Sequence, residues 1–85
     1  MDAIARSSAR YAGALRELQT ARDVLTAADT RHAAVREQFE LGDVDRTAIL
    51  GAELEVIIAR GQVAAAVRKA HMELGILEQA LQQPL

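Results

Sequence analysis

The stretch FELGDVDR, residues 39–46, decides the fold because it is the one cluster of turn-forming residues in an otherwise helical pattern. Gly42 can adopt the left-handed backbone conformation that ends a helix. Asp43 or Asp45 can then cap a following helix by accepting hydrogen bonds from its free backbone N–H groups, and we favour Asp45. The stretch therefore predicts a sharp reversal between two helices.

The segments on both sides of this turn are long. The pattern predicts a helix over about residues 2–39, the turn over about 40–45 and a second helix over about 46–82, so that residues 1–85 form a single helical hairpin. Each helix would be about 55 Å long. Hydrophobic residues make up 51% of the chain but aromatic residues only 2%. Such small side chains offset the conformational entropy of folding poorly, which favours association with further helices.

Both helices carry apolar or small residues at heptad spacing, which indicates a left-handed coiled coil. The alternation of large and Ala-sized residues allows the two axes to approach closely. In the first helix the two series are Ile4, Tyr11, Leu18, Leu25, His32 and Phe39, and Ser7, Ala14, Ala21, Ala28 and Val35. In the second helix they are Ile49, Val56, Val63, Ala70 and Leu77, and Ala52, Ala59, Ala66, Glu73 and Ala80.

Folding the chain at Val44 brings these two seams together in one register along their whole length. The facing pairs are Phe39–Ile49, His32–Val56, Leu25–Val63, Leu18–Ala70 and Tyr11–Leu77. The charged residues beside the seams provide an independent test of this register. They pair with opposite signs as Arg36–Glu53, Asp29–Arg60, Arg31–Glu55 and Glu17–Lys69. Each exposed pair contributes little alone, but together the pairs specify orientation and register.

The predicted fold is therefore all-α, an antiparallel two-helix coiled-coil hairpin. The second helix has more apolar surface than one seam covers, so it needs a second neighbour. The residues that we expect to mediate self-association are Leu54, Ile57, Ile58 and Met72. The simplest closed way to cover them is a homo-oligomer, a dimer that completes a four-helix bundle.

Composition excludes several classes of function. Ten basic and twelve acidic residues give a net charge of −2, with one Tyr and one Phe, so we expect no nucleic-acid partner. The lack of Cys excludes disulfides, thiolate metal sites and a Cys nucleophile. No stretch has the length and hydrophobicity of a membrane span, and the first residues lack the apolar core of a secretory signal. We therefore expect no direct membrane insertion by this chain.

The titratable residues form no catalytic or metal-binding pattern. His32 lies in the predicted seam, where we expect it to be packed. His71 and Glu73 lack the second His of an HExxH zinc motif, and Glu73 is expected to extend from the seam into solvent. Asp43 and Asp45 lack the Gly and the closing Glu of a calcium loop. We expect no cofactor, no metal and no enzymatic activity.

The turn and the second helix nevertheless resemble a known family. Residues 39–54, FELGDVDRTAILGAEL, are similar to the aromatic-x-x-Gly turn and the helix start of TolC-type outer membrane efflux proteins. The stretch LGILEQAL at residues 74–81 resembles the end of the same family's long coiled-coil helix. The resemblance covers one periplasmic hairpin of a much larger protein. The pair Asp45-Arg46 looks like the branch of the family linked to heavy-metal or cation export.

The resemblance implies that the turn is a docking tip. In that family a trimer forms a periplasmic tunnel of long helices, and the turn at the tunnel's end meets the helical hairpins of a periplasmic adaptor protein of an efflux pump. The adaptor-facing residues carried over to this sequence are Phe39, Leu41, Gly42, Asp43 and Asp45. A full-length member would lie in the periplasm and outer membrane, whereas we expect this hairpin, without a signal peptide, to be soluble.

Two other interpretations remain open from the residues. A free-standing coiled-coil oligomerisation or regulatory protein, unrelated to efflux, would show the same heptads. A small amphipathic protein that acts on a membrane surface is disfavoured, because the helices carry mixed charge and lack a Lys-rich polar face.

Overall fold

Two long helices pack antiparallel as an extended hairpin in the computed structural model, which describes residues 2–82. Helix α1 spans Ala3–Glu40 and helix α2 spans Arg46–Gln82. The rod measures 67 × 14 × 13 Å, so it is one helix pair thick. This confirms the predicted all-α antiparallel hairpin. Met1 and residues 83–85 of the expected hairpin lie outside the described part.

A hydrogen-bonded turn ends α1. The backbone N–H of Gly42 donates to the carbonyl oxygen of Phe39 at 3.0 Å, and the N–H of Asp43 donates to the carbonyl oxygen of Gln38 at 2.8 Å. These two bonds form a Schellman motif, which satisfies carbonyl groups that the helix end leaves free. Gly42 has a φ of 81°, in the left-handed region that side chains with a Cβ rarely adopt. The prediction that Gly42 ends the first helix is confirmed.

Aspartate side chains cap the N-termini of both helices. Asp45 accepts a hydrogen bond from the backbone N–H of Ala48 at 3.1 Å, as predicted. Asp2 accepts one from the backbone N–H of Ala5 at 2.6 Å, a cap that the heptad analysis did not anticipate. Both carboxylates also lie at the positive end of a helix dipole, so charge and hydrogen bonding act together there.

The predicted seam is the buried strip of the hairpin. The residues with the least exposure are Ser7, Ala14, Ile49, Ala52, Val56, Ala59, Ala70 and Glu73, and all of them belong to the predicted series. Ile4 and Phe39, at the ends of the α1 series, keep 44% and 41% of their exposure because each has neighbours on one side only. Among residues 2–82 no large side chain is fully buried, so the seam is thin and consists largely of alanine.

Two of the four predicted cross-helix ion pairs form. Lys69 Nζ donates to both carboxylate oxygens of Glu17, at 2.9 and 3.1 Å. Arg31 Nε lies 3.5 Å from Glu55 Oε2. Both pairs lie on the same flank of the seam, where they fix the register that the heptads predict. Because their side chains are exposed, these ion pairs contribute little to the free energy of folding, and their main effect is to specify the register of the two helices.

The other two predicted pairs are wrong. Arg36 Nε instead lies 3.5 Å from Oε1 of Glu40 on its own helix. The carboxylate of Glu40, four residues further along the same face of α1, competes for Arg36 with the carboxylate of Glu53 across the seam. Glu53 lies 3.8 Å from His32 Nε2 instead of Arg36. Among residues 2–82, Arg60 has no carboxylate within ion-pair distance, so the expected ion pair between Asp29 and Arg60 does not form.

Glu73 is a polar residue inside the seam. We expected its side chain to reach solvent, but only 9% of the residue is exposed, and its Oε2 is buried without a hydrogen-bond partner within the described range. The expectation is wrong because Glu73 lies opposite Ala14, a small residue beside which the helices approach closely. A buried oxygen without a partner costs free energy, so Glu73 weakens the hairpin at this point.

Replacing Gly42 tests the turn. We expect Gly42→Ala to lower the free energy of unfolding by about 1–2 kcal/mol, because the new Cβ is strained at a positive φ. Gly75→Ala is the matched control. No atom lies within 4 Å of a Cβ built at Gly75, and its helical backbone favours Ala, so stability should rise by up to about 1 kcal/mol. Urea unfolding followed by circular dichroism measures both, and equal stability of the two variants would contradict the turn.

Replacing Glu73 tests the cost of its burial. Glu73→Leu should raise the free energy of unfolding by about 1–3 kcal/mol, because an apolar side chain replaces a carboxylate with an unpaired oxygen. The exposed Glu78→Leu should change it by less than about 0.5 kcal/mol. Thermal melts of the two variants against the parent chain give the comparison, and a destabilised Glu73→Leu would show that the carboxylate has a favourable role in the seam.

Candidate functional site

The strongest candidate is the side of α2 that points away from α1. We call it the outer face of α2 and define it as the exposed positions Leu50, Gly51, Leu54, Ile57, Ile58, Gly61, Ala64 and Ala65. None of them carries a polar side chain. The face runs along α2 for about 23 Å. An uncharged face of this kind on a two-helix rod is available to another apolar surface.

Helical geometry explains why this face points outward. Residues of α2 at the seam positions face α1, and the outer face occupies the three heptad positions on the opposite side of the same helix. The corresponding side of α1 is unlike it. That side carries polar residues, among them Arg6, Arg16, Gln19, Asp23, Thr30 and Glu37. The two helices therefore share one apolar seam, and only α2 has a second apolar side.

The side chains predicted to self-associate all lie exposed on α2. Ile57 keeps 62% of its exposure, and Leu54, Ile58 and Met72 keep more than half. Leu54, Ile57 and Ile58 belong to the outer face. Met72 lies further along the same side, beyond Arg68, which interrupts the uncharged stretch. The structure therefore brings three of the four residues into one continuous surface.

Glycines on α2 do not line its contact with α1. A Cβ added at Gly61 or Gly75 would meet no atom within 4 Å, and one at Gly13 of α1 would meet only the side chain of Arg16, at 3.7 Å. Gly61 and Gly75 are exposed and lie away from the seam. Gly61 instead leaves a shallow depression in the middle of the outer face of α2, next to Ile57 and Ile58.

Charged residues border the outer face on both sides. On one flank lie Glu53 and Arg60, which alternate in sign seven residues apart. On the other lies Glu55, held by Arg31 of α1. That pair and Gln62 line an open groove of about 400 Å³ between the helices, together with the apolar residues Val24, Ala27, Ala28, Ile58 and Ala59. The outer face therefore has an apolar centre and charged edges, the layout of a protein interface.

The predicted docking tip is the second candidate. Leu41, Gly42, Asp43 and Asp45 are all exposed at the end of the rod, and Leu41 keeps 70% of its exposure. Phe39 lies one turn back and lines a groove that reaches into the start of α2. Asp45 is also engaged in capping α2, so its role in the fold is already accounted for.

The titratable groups fit a structural role. The hydrogen bonds that Lys69 donates to Glu17, and the negative charge of that carboxylate, raise the pKa of Lys69 above its ordinary value. His32 is half-buried in the seam, as predicted, with Nε2 facing Glu53. Within residues 2–82 no three His, Asp or Glu side chains gather where they would hold a metal ion. In the same range no helix combines the length and hydrophobicity that a membrane span requires.

Comparison of the chain with models of protein families, with curated proteins and with solved structures found no match. The established level of description is therefore the class of fold, an antiparallel two-helix hairpin with an exposed apolar side.

Proposed function

We propose that this chain is a structural interaction module and not an enzyme, a rigid hairpin that assembles with other helices through the outer face of α2. The observation that carries the proposal is the uncharged, exposed outer face itself, on a rod whose one seam is already occupied. A helix with two apolar sides is built to have two neighbours.

The energy available at this face supports assembly. Leu50, Leu54, Ile57 and Ile58 each keep between 51% and 62% of their exposure. Complete burial of such side chains stabilises by about 1.5–3 kcal/mol each, so covering their exposed parts contributes on the order of 4 kcal/mol per copy. Two copies together would gain about 8 kcal/mol, which offsets an association cost of about 4–15 kcal/mol.

A finer proposal is that the tip docks an adaptor. It is supported by the exposure of Leu41 beside Gly42, where the lack of a side chain lets another backbone approach closely. It is also supported by the resemblance of residues 39–54 to the turn of TolC-type efflux proteins. In this proposal the hairpin is one part of a periplasmic tunnel wall, the outer face of α2 contacts the neighbouring helix of the wall, and a periplasmic adaptor protein binds the tip.

The rival proposal is a free-standing coiled-coil oligomerisation or regulatory protein. It shares the seam and the outer face of α2 but gives the tip no partner. The two proposals therefore differ only at the turn, and a substitution confined to the turn separates them.

Self-association tests the first proposal. We expect the chain to sediment as an oligomer at tens of micromolar, and Ile57→Asp to raise the dissociation constant more than about tenfold because a charge then enters the apolar interface. Ala12→Asp, an equally exposed change on the polar side of α1, is the control and should have no effect. A parent chain that stays monomeric at these concentrations would contradict the proposal.

Leu41→Asp tests the tip. The helicity and melting temperature of the hairpin should stay nearly unchanged, since Leu41 is exposed and contributes little to the seam. In a host that pairs the chain with a periplasmic adaptor, cysteine cross-linking between adaptor and tip should fall at least tenfold, by about 1.4 kcal/mol or more of lost binding. Thr20→Asp, half-way along α1, should leave cross-linking intact. Full cross-linking by Leu41→Asp would favour the rival proposal.

A further inference from the structure

The outer face of α2 has a symmetry of its own that points to what covers it. Its eight positions are distributed evenly about a point between Ile57 and Ile58. Reading outward from that point, Leu54 on one side corresponds to Gly61 on the other, and Leu50 corresponds to Ala65. Large residues on one half therefore correspond to small residues on the other half, which is the pattern of a surface that fits a reversed copy of itself.

We propose that the outer face of α2 binds the same face of a second copy, antiparallel, about a two-fold axis that passes between Ile57 and Ile58. The inference rests on the proposed function and specifies its partner. In this register Leu54 enters the depression at Gly61 of the second copy, and Leu50 packs against Ala64 and Ala65 of the second copy. Ile57 and Ile58 each meet their own counterparts at the axis.

Charge complementarity selects this register over its neighbours. Glu53 lies opposite Arg60 of the second copy, and the symmetry forms the pair twice. In the single chain Glu53 has only His32 nearby, at 3.8 Å, and Arg60 has no ion pair among residues 2–82. Shifting the copies by one heptad in one direction places Arg60 opposite Arg60, and shifting them in the other direction places Glu53 opposite Glu53. Like charges directly opposite each other disfavour both alternatives.

The residues beyond the centre agree with the same register. Arg68, the first charge on this side of α2 after the outer face, lies opposite Thr47 of the second copy and outside the apolar centre. On the other flank, Glu55 lies opposite Gln62.

The assembly has a defined shape. Because the outer face is on the side of α2 opposite to α1, the four helices lie in a layer in the order α1, α2, α2 of the second copy, α1 of the second copy. This differs from the compact four-helix bundle that the apolar surplus alone predicts. A layer leaves the polar side of α1 in solvent on both edges, in keeping with its composition.

Single cysteines test the axis directly, since the chain has no native Cys. Under mild oxidation Ile57→Cys and Ile58→Cys should each form a disulfide-linked dimer in high yield. Leu50→Cys and Met72→Cys are the controls and should not, because their counterparts would be about 22 Å and about 44 Å apart along the helix axis. Circular dichroism confirms that each variant is folded before oxidation.

Charge exchange supplies a second measurement that leaves the apolar centre untouched. Glu53→Arg and Arg60→Glu should each weaken self-association about tenfold by sedimentation, and the double exchange should restore it. An oligomeric chain that cross-links at Leu50→Cys or Met72→Cys as well as at the axis, or whose double exchange restores nothing, overturns the antiparallel pairing but leaves the proposed assembly function in place. A monomeric chain overturns both.

Discussion

The register of the single seam between α1 and α2 is the constraint on which the rest of the structure depends. Gly42, with its positive φ, and Asp45, with its cap on α2, fix where the chain reverses. The Glu17–Lys69 pair then holds the register far from the turn. Because heptad positions are periodic, this one choice determines which side of each helix is buried along the whole rod.

The seam also leaves the larger apolar side chains of α2 uncovered. It is built largely of alanine, it contains the buried Glu73, and no large side chain within residues 2–82 is fully buried. Such a seam offers little hydrophobic stabilisation for the chain that it orders. The larger apolar side chains, Leu54, Ile57 and Ile58, lie instead on the outer face of α2. Much of the apolar surface of the chain is therefore left exposed, which is what the proposed assembly function requires.

Much of the fold was predictable because it depends on local rules. The helix ends follow from the turn chemistry of Gly42 and Asp45, and the buried strip follows from heptad spacing. The exposure of the outer face follows from the same spacing. The sequence did not predict the ion-pair partner of a residue for which two oppositely charged residues compete. Arg36 has a carboxylate four residues away on its own helix as well as one across the seam, and sequence alone does not rank the two. Whether Gly61 faces the seam or solvent depends on the register that is realised, and its depression was therefore missed.

The fate of Glu73 has a similar cause. Its heptad position was correctly predicted, but whether the carboxylate reaches solvent depends on how closely the helices approach at Ala14, a distance that the heptad pattern does not specify. For the candidate sites, too, part was predicted from the sequence and part required the structure. The residues of the tip and of the outer face were named from sequence, whereas the matching of Glu53 and Arg60 about an axis became apparent only once Arg60 was seen to be without a partner among residues 2–82.

The most direct measurement of the central claim is an intramolecular distance across the seam. Spin labels on Thr20→Cys and Arg68→Cys, two exposed positions that the register places at the same level of the rod, are measured by pulsed electron resonance in a large excess of unlabelled chain. The hairpin predicts a distance of roughly 20–25 Å, from an interaxial spacing of 8–10 Å plus the two label arms. A distance of about 72 Å, the length of 48 residues of uninterrupted helix, would show that α1 and α2 of one chain do not pack together and would contradict the account.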